Sequence, residues 1–351
     1  MKKVIVLTGG GTAGHVTPHF ALLNDLQKNF SKIAYIGSNS GVEKDLIKNT
    51  NITFYGIDAV KLVRGKILTN LALPFKLIRA KHQAKIYLKQ IRPNVIFSKG
   101  GFVAVPVVLA AKSLKIPVVC HESDLSVGLA NKICSKYAKC TCTTFERTAS
   151  QIKHNAVFSG SPIKQTKINN IDLIKTKLNI PSNKKILLVT GGSLGSVAIN
   201  NVVRNALSEL TKQYFVIHVT GKGNFDNSIK VKNYYQIEFA NNMQELIAIA
   251  NLVISRAGSN TIFELAFAQK PMLLIPLPKG ASRGDQVENA NYFKEKHFAN
   301  VLLQSELNKD SLIKAVNETQ RQANNLKNNL KNSGLVNGCS KIIEQILKYS
   351  T

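Results

Sequence analysis

The sequence of 351 residues has no tryptophan, and aromatic residues make up only 7% of it. The hydrophobic core must therefore be built mainly from Ile, Leu, Val and Ala, which is typical of parallel strands that are buried on both faces. Hydrophobic residues reach 44% and charged residues 19%, and this composition excludes a disordered chain. The length indicates about two domains.

A long apolar run is also missing from the sequence. The longest, residues 102–111, is far shorter than the ~20 residues that a membrane-spanning helix needs, and Pro106 interrupts it. The apolar stretch from Val4 to Leu7 leads directly into glycines, which indicates a first strand rather than a signal peptide. We therefore expect a protein without a membrane span.

Cysteine pairs at metal-binding spacing are absent. Of the five cysteines only Cys140 and Cys142 are close in sequence, and no second pair or histidine accompanies them at zinc spacing. We expect reduced structural thiols, as in a cytosolic protein. No Asp-x-Asp pair is present to hold Mg²⁺. The sequence therefore predicts neither a metal nor a cofactor.

Acidic residues are scarce. The chain has 47 Lys and Arg against 20 Asp and Glu, a formal net charge of +27, and the segment between Asp58 and Glu122 contains twelve Lys or Arg and no acid. Within residues 62–88, apolar side chains alternate with cations: Leu68, Leu71, Leu73, Phe75, Leu77 and Ile78 with Lys66, Lys76, Arg79, Lys81 and Lys85. This pattern predicts a patch that binds an anionic membrane surface, at about 1 kcal/mol per basic residue.

The alternative for residues 62–88 is a core helix with a solvated basic face, and the lack of acids favours the membrane patch. No helix-turn-helix, RNP or aromatic-stacking motif accompanies the charge. We therefore do not expect nucleic acid as a partner.

A strand, a glycine-rich turn and an amphipathic helix follow one another twice. The segments are 3–8, 9–14 and 18–28 in the first half, and 185–190, 191–196 and 199–210 in the second. Further strands are predicted at 33–36, 95–98, 118–121, 140–143, 215–220, 237–239, 252–255 and 272–275. Because strands and helices alternate, we predict an α/β fold with two Rossmann-like parallel-sheet domains facing a central cleft. The predicted domains are residues 1–162 and 163–337, with a C-terminal helix in 338–351 that packs back on the first domain.

The first turn, residues 9–15, reads Gly-Gly-Gly-Thr-Ala-Gly-His and contains a G-x-G-x-x-G pattern. Such glycines let the backbone approach a pyrophosphate at a helix N-terminus. An NAD-dependent dehydrogenase would need an acid at the end of the second strand, whereas the first acid here is Glu43, which weakens that interpretation. His15 follows the turn at a helix start, which favours the neutral imidazole that a general base needs. A ring that only caps local backbone fits the spacing equally well.

Three segments of the second half carry similar features. Residues 191–196, Gly-Gly-Ser-Leu-Gly-Ser, offer N–H groups and hydroxyls to an anion. Residues 255–264 end a strand and begin a helix, where free N–H groups can bind phosphate oxygens. Thr261 and Glu264 also match an S/T-x-x-E capping box, and the spacing slightly favours that role for Glu264. Residues 283–286, Arg-Gly-Asp-Gln, add polar groups to the same cleft or form only a solvated loop.

Six segments, in order, resemble the MurG family of glycosyltransferases, the N-acetylglucosaminyltransferases of peptidoglycan synthesis. They are residues 9–18, 99–103, 121–124, 160–162, 191–195 and 283–286, which read GGGTAGHVTP, KGGFV, HESD, GSP, GGSLG and RGDQ. Because the segments are spread from residue 9 to residue 286, the resemblance covers nearly the whole chain.

The resemblance implies a GT-B fold and inverting transfer of N-acetylglucosamine from UDP-GlcNAc to the 4-hydroxyl of MurNAc in undecaprenyl-pyrophosphoryl-MurNAc-pentapeptide (lipid I), giving lipid II. It assigns acceptor and membrane contact to the first domain and the UDP-sugar to the second. It also implies a peripheral protein at the cytoplasmic face of the bacterial cell membrane. The substrate-binding positions that carry over are Thr12, Ala13, Gly14, Asp124, Lys164, Ser193, Ala240, Ser259, Asn260, Thr261, Glu264 and Gln286. Glu264 would hold the ribose hydroxyls, while Ser193 and the start of the helix would meet the diphosphate.

The chain departs from the family pattern at two of these positions. Many members have Arg where Lys164 stands, and a lysine cannot form the planar bidentate contact of a guanidinium. Many members have Gln-Asn where this chain has Ser123 and Asp124, so a donor contact assigned to an amide falls on a carboxylate.

Inversion calls for a base that takes the acceptor hydroxyl proton as UDP leaves. We predict His15 in this role, with Glu122 as the alternative, and helix N-termini that stabilise the leaving diphosphate without a metal. Three other functions stay open. Transfer to another glycolipid would use the same donor motifs, an NAD-dependent enzyme should bind NADH, and a non-catalytic UDP-sugar-binding protein would show no turnover.

Overall fold

The computed structural model describes residues 3–48, 50–61, 72–164, 168, 170–192, 194–240, 242–280 and 282–350. The chain divides into two compact units. Unit 1 contains Met1–Gln165 and Val336–Thr351, and unit 2 contains Thr166–Leu335. Each unit is built around a parallel sheet.

The described strands of unit 1 are β1 (Val4–Thr8), β2 (Lys32–Ser38), β3 (Thr53–Ile57), β4 (Val95–Ser98), β5 (Val118–Glu122), β6 (Cys140–Thr143) and β7 (Ala156–Phe158). They form one sheet in the order β3-β2-β1-β4-β5-β6-β7. Every residue of β4, β5 and β6 is buried, because helices cover both faces of such a sheet. The strand order reverses between β1 and β4, the point at which open parallel sheets bind their ligands.

The described helices in the first part of unit 1 are α1 (Thr17–Asn29), α2 (Val42–Lys48), α3 (Leu73–Ile91), α4 (Ala104–Ser113), α5 (Leu129–Cys134) and α6 (Glu146–Ala149). A short 3-10 turn, Ala13–His15, precedes α1, and Pro18 occupies the first turn of that helix, where the missing N–H has no partner to lose. α4 is buried over most of its surface, as its nearly continuous apolar sequence requires.

Unit 2 has the strands β8 (Lys185–Thr190), β9 (Tyr214–Val219), β10 (Tyr234–Ile237), β11 (Leu252–Ser255), β12 (Met272–Leu274) and β13 (Asn300–Val301) among its described residues. They pair in the order β10-β9-β8-β11-β12-β13. The helices are α7 (Ile171–Lys177), α8 (Val197–Asn205), α9 (Leu207–Gln213), α10 (Met243–Ile249), α11 (Ser259–Phe267), α12 (Asp285–Glu295), α13 (Lys309–Arg321) and α14 (Ala323–Lys331). In the part of the chain that the structure describes, no helix has the length and apolar character that crossing a bilayer demands.

The last helix, α15 (Cys339–Lys348), belongs to unit 1 although unit 2 precedes it in the chain. Ile342 and Ile346 on its apolar face are completely buried in the core cluster that also includes residues of α1. The backbone N–H of Gly338 donates to the carbonyl of Ser161 at 2.7 Å at the entry to the helix. Burying each of these apolar side chains stabilises the folded state by about 2 kcal/mol, which explains why this helix packs on unit 1.

The strands that the sequence pattern missed or misplaced are edge strands. β3, β7 and β13 have no counterpart among the predicted strands, and β10 begins three residues before the predicted start at residue 237. Their residues are mostly only partly buried, so the hydrophobic signal in the sequence is weak. The helix predicted at 199–210 is divided into α8 and α9. The backbone N–H of Ala206 donates to the carbonyls of both Val202 and Val203, which tightens the turn at this point.

The five cysteines are free thiols, and four of them are buried: Cys120, Cys134, Cys140 and Cys142. Burial raises the pKa of the Cys134 thiol to about 12. A thiol in such surroundings stays protonated at neutral pH and is a poor nucleophile, which is the behaviour of a structural cysteine.

Candidate active site

Three of the sequence motifs in unit 1 meet at the carboxyl edge of its sheet. Residues 9–15 follow β1, residues 99–103 follow β4, and residues 121–124 end β5 and begin the next loop. The backbone N–H of Lys99 donates to the last carbonyl of β1 at 2.9 Å, and its side chain reaches His121. Motifs that are far apart in sequence therefore form one site, at the point where the strand order reverses.

Glycines allow the first two loops to touch. Gly101 has φ +80°, and a β-carbon there would lie 2.2 Å from the carbonyl oxygen of Gly10. Gly11 has φ +87°, and its β-carbon would lie 2.4 Å from the ring of Phe102. Only glycine satisfies both this backbone conformation and this close approach. The glycines are therefore needed by the loop packing itself, whatever ligand they also admit.

His15 lies in the 3-10 turn before α1 and is half-buried. Its Nδ1 atom is 2.9 Å from the hydroxyl oxygen of Thr12. When Nδ1–H donates to this hydroxyl, Nε2 keeps its lone pair and can accept a proton. An imidazole that is oriented through one nitrogen and basic at the other is the arrangement that a general base requires. Ala13 and Gly14, two of the predicted ligand positions, lie in the same turn.

A buried cation, Lys99, ties the second and third loops together. Its ammonium group lies 2.7 Å from His121 Nδ1 and donates to Ser123 Oγ at 2.5 Å. Burial lowers the pKa of Lys99 to about 7, although the nearby carboxylates of Glu122 and Asp124 oppose the shift. The side chain thus holds the loop that carries Asp124 against the end of β4.

His121 connects this site to the fourth motif, residues 160–162. Burial, together with the charge of Lys99, lowers the pKa of His121 well below its usual value, so the ring is neutral. With Nδ1 facing the ammonium group, the proton resides on Nε2, which lies 3.3 Å from the carbonyl oxygen of Gly160. His121 is therefore a structural link between loops.

Glu122, the alternative base, has both carboxylate oxygens occupied. Oε1 accepts the N–H groups of Ser123 at 2.9 Å and Asp124 at 3.1 Å, and Oε2 accepts those of Gly128 at 2.9 Å and the Asn131 amide at 3.0 Å. Taking up a proton would break at least one of these bonds, at a cost of about 1.5–3 kcal/mol for a charged acceptor. The geometry therefore favours His15 over Glu122 as the base.

In unit 2 the predicted donor positions lie along the carboxyl edge of the second sheet. They are Ala240 after β10, residues 191–196 after β8, Ser259, Asn260, Thr261 and Glu264 in α11 after β11, and Gln286 in α12 after β12. These strands are neighbours, with only β9 between β10 and β8, so the positions share one edge. Ser193, inside the loop after β8, lies outside the described residues.

A buried arginine, Arg256, joins the loops of this edge. Its Nη2 donates to Ser196 Oγ and Gln304 Oε1, both at 2.6 Å, and its Nη1 donates to the carbonyls of Ile275 and Pro276 at 3.0 and 3.2 Å. All four partners are neutral, and no carboxylate of the described chain forms an ion pair with the guanidinium. Its positive charge is therefore available to stabilise an anion bound at this edge.

Helix α11 begins without a side-chain cap. Its N-cap residue is Gly258, with φ −68° and ψ 132°, which offers no side chain to the first N–H groups. A β-carbon at Gly258 would have no neighbouring atom of the described residues within 4 Å, so these residues leave space open beside the helix start. Neither backbone conformation nor packing requires glycine at this position. The helix start and the open space together suit a phosphate group.

The observed start of α11 shows that the capping-box prediction is wrong. That interpretation requires Thr261 to be the N-cap, but the N-cap is Gly258 and the helix begins at Ser259, so Thr261 and Glu264 both lie inside it. Glu264 is half-buried, and burial raises the pKa of its carboxyl group to about 7. Within the described chain its carboxylate has no hydrogen-bonding or ionic partner. An acid in this setting is a candidate ligand contact.

Two other predicted ligand positions differ in how they are held. Gln286 Oε1 accepts the N–H of Leu277 at 3.0 Å, which fixes the loop after β12 and leaves the amide N–H₂ group to meet a ligand. Lys164 is exposed and belongs to unit 1.

The described residues contain no cluster of three His, Cys, Asp or Glu side chains that could hold a metal ion.

Sequence reasoning gave no role to Lys99 or Arg256, although both organise a binding edge. Each follows directly after a serine that ends a buried strand, Ser98 in β4 and Ser255 in β11. A lone basic residue at the carboxyl end of a buried parallel strand was therefore the available signal. Its partners could not be read from the sequence, because they come from other loops.

Comparisons with known proteins agree with this organisation. The model of the glycosyltransferase family 28 N-terminal domain matches residues 5–143, and that of the C-terminal domain matches residues 186–346. The UDP-N-acetylglucosamine–N-acetylmuramyl-(pentapeptide) pyrophosphoryl-undecaprenol N-acetylglucosamine transferase of Clostridium perfringens is 46% identical over 99% of both chains. The protein of the same name from Lachnospira eligens is also 46% identical, with the same coverage.

Solved structures lead to the same family. A crystal structure of Acinetobacter baumannii MurG covers 99% of each chain at 25% identity, with a TM-score of 0.76. The predictions of a glycosyltransferase with a GT-B fold and two Rossmann-like parallel-sheet domains, and of a resemblance to MurG, are confirmed. The chain therefore belongs to glycosyltransferase family 28, within the MurG group of N-acetylglucosamine transferases.

Proposed function

We propose that the chain transfers N-acetylglucosamine from UDP-GlcNAc to the 4-hydroxyl of MurNAc in lipid I, with inversion at the sugar carbon, and so produces lipid II for the cell wall. Support comes from the relatives that carry this activity in their name and match almost the full length of the chain. The observation that carries the proposal is the edge of unit 2, where an uncapped helix start and Glu264 lie on one helix.

This arrangement suits a nucleoside diphosphate. Glu264 lies five positions after Ser259, or about 7.5 Å along the helix axis at 1.5 Å per residue. The diphosphate would lie against the start of α11 and Ser193, and the carboxylate of Glu264 would accept the ribose hydroxyls. Ala240, Lys164, Asp124, Gln286 and the residues 12–14 complete the proposed set of substrate contacts.

In the proposed reaction His15 acts as the base. Its Nε2 takes the proton of the MurNAc 4-hydroxyl while the oxygen attacks the anomeric carbon of the donor sugar. The new carbon–oxygen bond forms as the bond to the β-phosphate oxygen breaks, and UDP leaves with that electron pair. The imidazolium ion then gives its proton to solvent, which returns the protein to its starting state.

The departing UDP gains negative charge, which two features of unit 2 would stabilise. The start of α11 presents the positive end of its helix dipole, and Arg256 adds a charge that no carboxylate of the described chain neutralises. Because both terminal nitrogens of Arg256 donate to neutral partners, the side chain acts through its field and through the shape of the loops it holds. These groups need no metal to do so.

The test is transfer of labelled N-acetylglucosamine from UDP-GlcNAc to a soluble lipid I analogue in the presence of EDTA. We expect a disaccharide product with a β-1,4 linkage. Product formed only with a different glycolipid would replace the proposed acceptor, and UDP-GlcNAc binding without transfer to any acceptor would replace the enzyme with a binding protein. NADH binding in place of UDP-GlcNAc would overturn the donor assignment.

We further propose that unit 1 attaches peripherally to the cytoplasmic face of the membrane through α3. Ala80, Ala84 and Leu88 bury one side of this helix, while Phe75 and Ile78 are 76% and 64% exposed on another. Lys76, Arg79, Lys81 and Lys85 lie on the same helix, and Arg79 also forms an ion pair with Asp58 at 3.2 Å. Basic residues beside exposed apolar side chains suit anionic headgroups over an apolar layer. One side of the helix therefore packs in the core of unit 1, and another side exposes apolar side chains to solvent. The remainder of the predicted patch, with Lys66, Leu68 and Leu71, lies outside the described residues.

Replacing both Phe75 and Ile78 with serine is expected to weaken binding to phosphatidylglycerol vesicles by more than about tenfold, because each side chain contributes roughly 1.5–3 kcal/mol when buried. Vesicle sedimentation would measure the change. Phe225→Ser is the matched control, since Phe225 is 43% exposed in unit 2. Equal vesicle binding by the wild type and the double variant would remove α3 as the attachment site.

A further inference from the structure

Glu43 is a completely buried acid whose carboxylate forms hydrogen bonds with residues outside its own helix. It lies in the first turn of α2, and its carboxylate accepts the N–H of Ser38 at 2.8 Å and the N–H of Gly11 at 3.2 Å. No Lys, Arg or His of the described residues forms an ion pair with it. Both of these hydrogen bonds go to backbone groups, and one of those groups is in the loop that leads to His15.

Two glycines make room for this carboxylate. A β-carbon at Gly10 would lie 2.4 Å from Glu43 Oε1, and a β-carbon at Gly41 would lie 2.3 Å from both carboxylate oxygens. At both positions the three nearest atoms all belong to Glu43. Neither glycine has a positive φ, so the backbone conformation does not require glycine there. The missing side chains at these positions therefore accommodate the acid.

The loop that Glu43 contacts is fixed from several sides. The Tyr35 hydroxyl donates to the carbonyl of Gly9 at 2.8 Å, and Gly101 and Phe102 of the second loop close on Gly10 and Gly11. The carboxylate thus holds the Gly10–Gly11 peptide against the second loop. His15 lies four residues after Gly11. Its ring nitrogen Nδ1 forms a hydrogen bond with the hydroxyl of Thr12, the residue next to Gly11.

We propose that Glu43 is a positioning residue for glycosyl transfer, which sets the place of the His15 ring by fixing the Gly10–Gly11 peptide. The inference rests on the proposed function, because it takes His15 as the base. It also gives Glu43, the first acid after β2, a role other than ribose binding, since its carboxylate oxygens accept the N–H groups of Ser38 and Gly11.

The test compares Glu43→Gln with the wild type in the transfer assay. Glutamine keeps the volume but replaces one acceptor oxygen by an N–H₂ group, which cannot accept an N–H donor. We expect kcat to fall about tenfold to a hundredfold, as for a displaced catalytic group, while KM for UDP-GlcNAc stays unchanged. Asp45→Asn is the matched control, because Asp45 is an exposed acid on the same helix and loses the same charge.

A double variant separates positioning of His15 from a general effect on stability. If Glu43 acts through His15, Glu43→Gln lowers kcat much less in a His15→Ala background than in the wild type. Equal losses in both backgrounds, or a wild-type kcat for Glu43→Gln, would overturn the inference. Absence of transfer by the wild type would instead overturn the proposed function.

If the Glu43→Gln variant does not fold, the Gly41→Ala variant tests the same proposal, because its new methyl group would displace the Glu43 carboxylate. The three atoms nearest to the new methyl group all belong to the Glu43 side chain, and Gly41 lies outside the loop that carries His15. We expect the same loss of kcat at unchanged KM for UDP-GlcNAc. A wild-type kcat for Gly41→Ala, with the carboxylate displaced, would contradict the positioning role.

Discussion

Replacing His15 with alanine is expected to lower kcat for N-acetylglucosamine transfer by about 10²- to 10⁴-fold, the usual contribution of a general base. The affinity for UDP should not change, because the proposed diphosphate and ribose contacts lie in unit 2. Steady-state kinetics with the lipid I analogue would measure the loss, and calorimetric titration with UDP would measure the affinity. Added imidazole should restore part of the activity by occupying the place of the missing ring.

His154→Ala is the matched control, since His154 is an exposed histidine of unit 1 away from the proposed site. It should leave turnover and UDP affinity unchanged. Full turnover by His15→Ala would show that another group takes the proton, and Glu122→Gln would then be the next variant to measure. Loss of UDP binding together with turnover would point to a damaged fold and not to a missing base.

The affinity for UDP-GlcNAc is expected to increase as the pH rises towards 7 and to level off above it. Burial raises the pKa of Glu264 to about 7, so the free protein holds a neutral acid below that pH. Ribose hydroxyls bind best to the ionised carboxylate, so the bound state favours loss of the proton. Calorimetric titration at pH 6 in two buffers of different ionisation enthalpy should therefore detect release of a proton on binding.

Glu264→Gln should abolish this proton release and weaken UDP-GlcNAc binding at pH 8 by about tenfold to a hundredfold, as expected for hydrogen bonds to a charged group worth 1.5–3 kcal/mol. UDP-GlcNAc is the suitable ligand because its diphosphate diester does not titrate in this range. Glu295→Gln, at an exposed acid of α12, is the control. Unchanged proton release by Glu264→Gln would assign the titration to another group.

The alternation of apolar strands and amphipathic helices predicted the central part of both sheets. β4, β6, β8 and β11 have the same limits in the structure as in the prediction. These strands are buried on both faces, so nearly every residue is apolar or small and the signal is strong. The edge strands are partly exposed, and their sequences do not differ enough from loops to be recognised.

The glycine-rich turns were predicted for a related reason. A positive φ at Gly11 and Gly101 leaves little choice of residue, so the requirement is written into the local sequence. The capping-box interpretation placed the N-cap of α11 three residues too late, at Thr261 and not at Gly258, because the Thr261–Glu264 pattern fits a capping box as well as a helix interior. Local sequence does not decide between these, since the end of β11 and the open space at Gly258 determine where the chain turns into the helix.

The sequence by itself determined the α/β pattern, the family and the carboxyl edges on which the motifs lie, because strand burial, turn conformation and motif order are properties of short segments. Only the tertiary structure decided which polar groups meet at those edges. Lys99 reaches Ser123, Arg256 reaches Ser196, and Glu43 reaches Gly11, each across two different loops. Such contacts depend on strand order and on side-chain burial, which lowers the pKa of Lys99 and raises that of Glu264. A linear pattern contains neither of these, since both arise only when separate segments pack together.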